Sequence, residues 1–181
     1  MTEAENANAA LYFVDRHCAE GRATKTAYVD PDGATSFDDL RQATDRMVGF
    51  FDWLAVPRES RVALLVLDCT AFPIIFWGSL KAGVVPVALN TLLSTDQYRF
   101  ILNDCRARVL FVSAPIYDTI APLLDGHPTI EHVFVVGGEA GGHPTFESAL
   151  AEAPPRPAVA VTGDEIAFWL YSSGSTGMPK G

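Results

Sequence analysis

Cysteine is scarce: Cys18, Cys69 and Cys105 are far apart and odd in number. No C-x-x-C pair or Cys/His ligand spacing occurs, which argues against a disulfide framework and against a structural zinc site. Sparse thiols suit a reduced, cytoplasmic setting. Positive charge is short as well. Thirteen Lys and Arg stand against 22 Asp and Glu, a formal net charge of −9, which argues against a broad footprint on a phosphate backbone, and no nucleic-acid partner is expected. A small polyanion remains admissible, because one local cluster of donors holds it whatever the global sign. Long apolar runs are missing too. The most apolar stretch, residues 71–89, is broken by Pro73, Gly78, Lys81, Gly83 and Pro86 and reads as a core helix and a strand, not a membrane span. The acidic start, Met1-Thr-Glu-Ala-Glu-Asn, lacks the basic-then-apolar order of a signal peptide. His17, His127, His132 and His143 are scattered without metal-ligand spacing, and no internal repeat or low-complexity tract occurs.

What is present is material for a core. Apolar residues make up 49% and charged residues 19% of 181, which is globular composition. Residues 8–20 carry Leu11, Val14 and Cys18 near helical spacing and stop at Gly21. Thr26-Ala-Tyr-Val-Asp30, a Pro31-Asp32-Gly33 turn and Ala34-Thr-Ser-Phe37 read as a β-hairpin. Ser36 or Asp38 is placed to cap a helix running to Trp53, with Leu40, Met47, Phe50 and Leu54 on one face. Arg61-Val-Ala-Leu-Leu-Val-Leu67 is continuously apolar after its arginine, as a strand covered on both faces is. Helix and strand then alternate: helix 70–82, strand 84–89, helix 95–105, strand 108–113, helix 116–124, strand 132–136. This order predicts an α/β fold with a mainly parallel sheet flanked by helices. Pro86 inside a strand points to an edge or a bulge. Residues 137–142 and 153–157 read as loops around a short helix at 146–150, and a last apolar strand spans 166–171.

That strand feeds Tyr171-Ser-Ser-Gly-Ser-Thr-Gly-Met-Pro-Lys-Gly181. Gly174 and Gly177 free the backbone to turn so that successive amides converge on one point. Ser172, Ser173, Ser175 and Thr176 add hydroxyls for phosphate oxygens or a metal. Lys180, after the restricting Pro179, adds a mobile charge. Gly/Ser clusters most often mark ordinary solvated turns. A Walker loop is excluded by spacing, since Gly174 and Gly177 stand too close and Lys180 lies between Pro179 and Gly181.

The run resembles the phosphate-binding signature [YF]-[ST]-S-G-[ST]-T-G-x-P-K-G of adenylate-forming enzymes, matching every position with Met178 in the variable slot. Two weaker family elements precede it in order: Thr35-Ser-Phe-Asp-Asp-Leu40 and Leu80-Lys-Ala-Gly-Val-Val-Pro-Val87. Asn8-Ala-Ala10, Val87-Ala-Leu-Asn-Thr-Leu-Leu-Ser94 and Phe168-Trp-Leu-Tyr-Ser-Ser173 are similar to the benzoate- and hydroxybenzoate-CoA ligases of that family. One departure is Glu59-Ser60, where such ligases carry Gly-Asp.

The resemblance implies a ligase that activates an aromatic carboxylic acid with Mg2+ and ATP to an acyl-adenylate, then transfers the acyl group to coenzyme A. It assigns the ATP phosphates to Ser172, Ser173, Gly174, Ser175, Thr176, Gly177 and Lys180, and makes Thr176 a candidate magnesium contact. The family's catalytic lysine belongs to a later C-terminal domain, so Lys180 is not it. Residues 1–181 are then the N-terminal portion of the AMP-binding large domain, ending in the phosphate loop. Such a fragment is expected to be inactive alone and to expose a sheet edge; homo-oligomerisation of its parent stays open. Three other readings remain: an adenylation domain that loads a carrier protein, a non-catalytic nucleotide-binding module, and an α/β structural domain whose loop binds nothing. Elsewhere, Lys81 reads as a lysine favouring a helix dipole, Phe72, Phe76 and Trp77 as helix-core residues, and Asp68 as a helix cap at a strand end where α/β sheets also bind ligands.

Overall fold

The structure is a computed structural model and describes residues 6–173 and 179–181. The chain opens in a helical segment, a π-helical turn Leu11–Asp15 running into α1 (Arg16–Ala19). A hairpin follows, β1 (Thr26–Asp30) and β2 (Gly33–Ser36), paired antiparallel. Ser36 caps α2 (Phe37–Trp53): its hydroxyl accepts from the Asp39 amide while the Asp39 carboxylate accepts from the Ser36 amide. Asp38 is not the cap. That reciprocal box satisfies two otherwise orphaned donors and fixes where the longest helix begins.

Parallel pairing then builds the core. β3 (Arg61–Leu65), β4 (Val85–Ala88), β5 (Val109–Ser113), β6 (His132–Val136) and β7 (Trp169–Leu170) form one sheet in the order β6-β5-β3-β4-β7. α3 (Ala71–Lys81) connects β3 to β4, and α4 (Thr95–Cys105) carries the chain back across β3 to β5. Short turns around α5 (Tyr117–Ile120) link β5 to β6, and α6 (Phe146–Glu152) follows β6. One apolar cluster gathers α2, α3 and α6 through Met47, Phe50, Phe51, Ile75 and Phe146. The other gathers α4 and α5 through Tyr98, Ile101, Leu102 and Ile120. Helices on both faces explain the run of buried residues from Val62 to Leu65, in which no position alternates toward water. The expected α/β architecture is what the chain adopts.

Four local expectations need correction. Pro86 is not at an edge, since β4 lies between β3 and β7. The amides of Val85 and Leu89 turn toward β3, donating to Ser60 O and Leu64 O. The alternate position 86 therefore aims its nitrogen at the β7 side, where pairing starts only at Val87 opposite Trp169, and no ladder bond is lost. The helix expected over 116–124 is three short pieces, with 3-10 turns Ala114–Ile116 and Ala121–Leu123 flanking α5, because Pro122 has no N–H to donate to a continuous ladder. The strand expected over 166–171 shrinks to β7. Asp68 caps nothing: Thr70 precedes α3 without a side-chain cap, and its amide donates to Asp30 Oδ2 of β1 at 2.8 Å.

Lys81 is structural, as expected: it lies in the last turn of α3, and two aspartates from other segments pair with it there. It is fully buried, and its Nζ donates to Asp15 Oδ1 at 2.7 Å and Asp45 Oδ1 at 2.6 Å. Arg41 supports Asp45 from the same helix at 3.1 Å. Burial holds the Asp15 carboxyl above its ordinary range, against the pull of Lys81. Phe72 and Phe76 pack against the first core cluster, whereas Trp77 lies outside it, stacked on Phe13 with ring centroids 5.4 Å apart. At the entrance to β3, Glu59 takes a left-handed φ of 62° and Ser60 is buried. The turn thus keeps a conformation that suits glycine, with a glutamate in it. No helix among the described residues is long and apolar enough to cross a membrane.

Candidate phosphate-binding site

β7 is the last strand on its side of the sheet, and the chain leaves it directly into a second hairpin. β8 (Ser172–Ser173) pairs antiparallel with β9 (Pro179–Lys180), with Ser172 opposite Lys180 and Ser173 opposite Pro179. The expected Gly/Ser loop is therefore closed at its base by a two-residue ladder that brings Ser172 and Lys180 side by side. Both of these residues are exposed, while Pro179 is buried. Gly174, Ser175, Thr176 and Gly177 lie outside the described residues. Of the expected phosphate ligands, the structure thus brings together Ser172, the Ser173 backbone and Lys180.

The hairpin is tied to the body at its foot. The Tyr171 hydroxyl donates to Asp104 Oδ2, in the last turn of α4, at 2.5 Å. Partial burial and that bond to a carboxylate push the Tyr171 phenol well above its ordinary range. Arg61, at the start of β3, donates from Nε to the Cys105 carbonyl at 2.8 Å and holds its guanidinium 5.8 Å from the Trp169 ring. Reasoning from the sequence did not single out Asp104. A signal existed: an acid in a helix's last turn opposes the macrodipole, and so wants a specific partner.

The remaining candidates stay apart from the hairpin. Asp68 is exposed and lines a cavity of about 330 Å³ between β1 and the start of α3. A cavity of about 510 Å³, between the β1–β2 turn and α6, includes Arg46, Cys69 and Glu147 and shares no residue with the hairpin. His143 Nε2 lies 3.1 Å from the Tyr117 hydroxyl, and among the described residues no three His, Cys, Asp or Glu side chains converge as a metal site would require.

The sequence model of a family described as AMP-binding enzyme matches residues 15–181, through the whole hairpin. The chain belongs to the AMP-binding enzyme family. A 4-hydroxybenzoate–CoA/benzoate–CoA ligase of Rhodopseudomonas palustris is 43% identical over 175 residues, covering 96% of this chain and 32% of the relative. A benzoate–CoA ligase of Thauera aromatica is 40% identical over 187 residues, covering 98% and 34%. Among solved structures, the anthranilate CoA ligase AuaEII, in complex with anthranoyl-AMP, superimposes with a TM-score of 0.88 at 32% identity over 94% of this chain and 33% of that one. A benzoate CoA ligase from Burkholderia xenovorans LB400 gives 0.80 at 35% identity over 90% and 32%. The chain spans about a third of the length of the curated relatives it matches. For an AMP-binding enzyme, a strand-fed hairpin with an exposed serine opposite an exposed lysine is chemically apt, since hydroxyl and ammonium both donate to phosphate oxygens.

Proposed function

We propose that the protein carrying this chain is an ATP-dependent acid–thiol ligase of the aryl-CoA type, acting on benzoate or a hydroxybenzoate. The observation that carries this reading is the 43% identity, over nearly the whole chain, to a ligase named for those two acids. In the first half-reaction a carboxylate oxygen attacks the α-phosphorus of ATP, the bond to the bridging oxygen breaks, and pyrophosphate leaves. In the second, the thiol sulfur of coenzyme A attacks the acyl carbon and AMP departs. Residues 171–181 serve the first. Charge grows on the departing pyrophosphate, and fixed donors around it lower the barrier. Those donors are the hydroxyls of Ser172, Ser173, Ser175 and Thr176 and the amides near Gly174 and Gly177, with Lys180 adding a point charge. Losing one such donor typically costs about 3 kcal/mol in the transition state.

Magnesium enters this reading on the nucleotide's own phosphates, which suits an ion that keeps much of its hydration and takes few protein ligands. The Thr176 hydroxyl is its proposed protein contact. A cytoplasmic site, with ATP and coenzyme A at hand, fits the same chemistry. The test is pyrophosphate–ATP exchange by the intact protein with benzoate and 4-hydroxybenzoate, followed by mass-spectrometric detection of the thioester. Benzoate-dependent exchange and a CoA thioester are expected. Exchange that responds to no aryl acid, or an adenylate passed only to a carrier protein, would sink the assignment.

A further inference from the structure

Tyr171 stands at one foot of the hairpin and Gly181 at the other. A Cβ added to Gly181 would come within 2.8 Å of the Tyr171 ring carbon Cζ, so the two feet meet across one aromatic face and only the smallest residue fits opposite it. The phenol hydroxyl then leaves the hairpin and donates to Asp104. The end of α4 that receives it is itself fixed to the sheet, because Arg61 of β3 grips the carbonyl of the next residue, Cys105. Arg61 also faces Trp169, the residue that starts β7 and so the approach to the hairpin. Hairpin, last strand and helix end thus share one set of contacts.

Asp104 lies far from residues 171–181 in sequence and helps α4 in no local way. A carboxylate in the last turn is disfavoured by the helix dipole, and the residue stands exposed, with no core to fill. What it has is a charge-assisted hydrogen bond, the stronger kind, to the one polar atom of Tyr171's side chain. We propose that Asp104 is a positioning residue for the base of the phosphate hairpin: by holding the Tyr171 hydroxyl, it fixes the foot of the hairpin against α4, so that the paired Ser172 and Lys180 are held in place when a triphosphate arrives. This rests on the hairpin being the phosphate site. Its physical basis is preorganisation, since groups anchored before a ligand arrives lose less freedom on binding.

The test uses the intact protein and two readouts. With 13C at the tyrosine Cζ, the resonance lost in Tyr171→Phe identifies the phenol. At neutral pH its shift lies toward the phenolate value in the unsubstituted protein and returns toward a free phenol in Asp104→Ala, with Asp104→Asn, which keeps an acceptor, in between. Affinity for magnesium tripolyphosphate is then measured by calorimetry. Tyr171→Phe and Asp104→Ala are each expected to weaken it about three- to tenfold, the worth of one hydrogen bond. The double variant is expected to be no weaker than either single, because both remove the same contact, and Asp104→Asn to recover part of the loss. A Cζ shift indifferent to Asp104→Ala overturns the contact. Single variants that bind like the unsubstituted protein, or losses that add, overturn its purpose. If the unsubstituted protein takes up no tripolyphosphate, the phosphate-site reading falls and takes the proposal with it, a failure visible before any substitution is made.

Discussion

At the scale of single residues, Lys81 shows what spacing conveys and what it leaves out. Its place at a helix end before Gly83 is plain in the sequence, and a structural role was legible from that. The partners were not, because Asp15 and Asp45 come from separate helical segments that only the tertiary fold brings to its ammonium. Removing the lysine leaves two partly buried carboxylates without their cation. Lys81→Met should therefore lower unfolding stability at neutral pH by about 2–3 kcal/mol, below the usual cost of breaking a buried pair because both aspartates keep some contact with water. The deficit has a direction in pH. Burial already raises the Asp15 carboxyl in the folded state, and losing Lys81 raises it further. A raised carboxyl carries its penalty above its folded value and sheds it as pH falls toward the unfolded value of 3.8. Urea unfolding from neutral pH down to about pH 4 should find the gap between variant and parent narrowing. A gap that is constant or widens would contradict the pairing.

Among the elements, the ones legible in the sequence are those whose ends are set locally. α4 starts at a reciprocal cap, with the Ser94 hydroxyl accepting from the Gln97 amide, and runs over the expected residues Thr95–Cys105. β6 likewise occupies its expected span, His132–Val136. The misread ones depend on distant neighbours or on proline. The placement of Pro86 follows from sheet order, which no local pattern reveals, and β7 is cut short because only Trp169 and Leu170 meet β4. In the candidate site, the same division holds: the loop residues were legible as a motif, and Asp104 was not, because its hydrogen bond is to a residue 67 positions away. Gly78 makes the packing of elements testable. It lies inside α3, where alanine would be favoured by about 1 kcal/mol on propensity alone. Yet a Cβ there would sit 2.3 Å from the Met47 Cβ of α2, an atom next to the backbone with little room to yield. Overpacking of this kind costs about 1–3 kcal/mol or more, so the clash wins. Gly78→Ala should lose about 1–2 kcal/mol in thermal or urea unfolding, and a gain would mean that α2 and α3 are not pressed together at this point.

For the molecule as a whole, the question is how much of the proposed reaction these residues can support. In the proposed reaction the hairpin's share is to donate to phosphates, and the strand that feeds it, β7, is two residues long at the edge of the sheet. Around it Ile166, Phe168 and Leu170 are 57%, 45% and 59% exposed, an apolar rim beside the hairpin. Joining a carboxylate to a phosphorus gains its speed chiefly from holding both partners in line, an advantage reaching effective molarities of about 10⁵–10⁸ M. On the proposed assignment the described residues hold phosphates and not the acid, and holding one partner alone forgoes that advantage. The 181 residues by themselves should therefore take up magnesium tripolyphosphate yet give no benzoate-dependent pyrophosphate exchange. The two measurements separate binding from chemistry. Exchange by the isolated chain at a rate near that of a full-length relative would mean that the acid is held by residues already in hand, and the apolar rim beside β7 would be the first place to look for them.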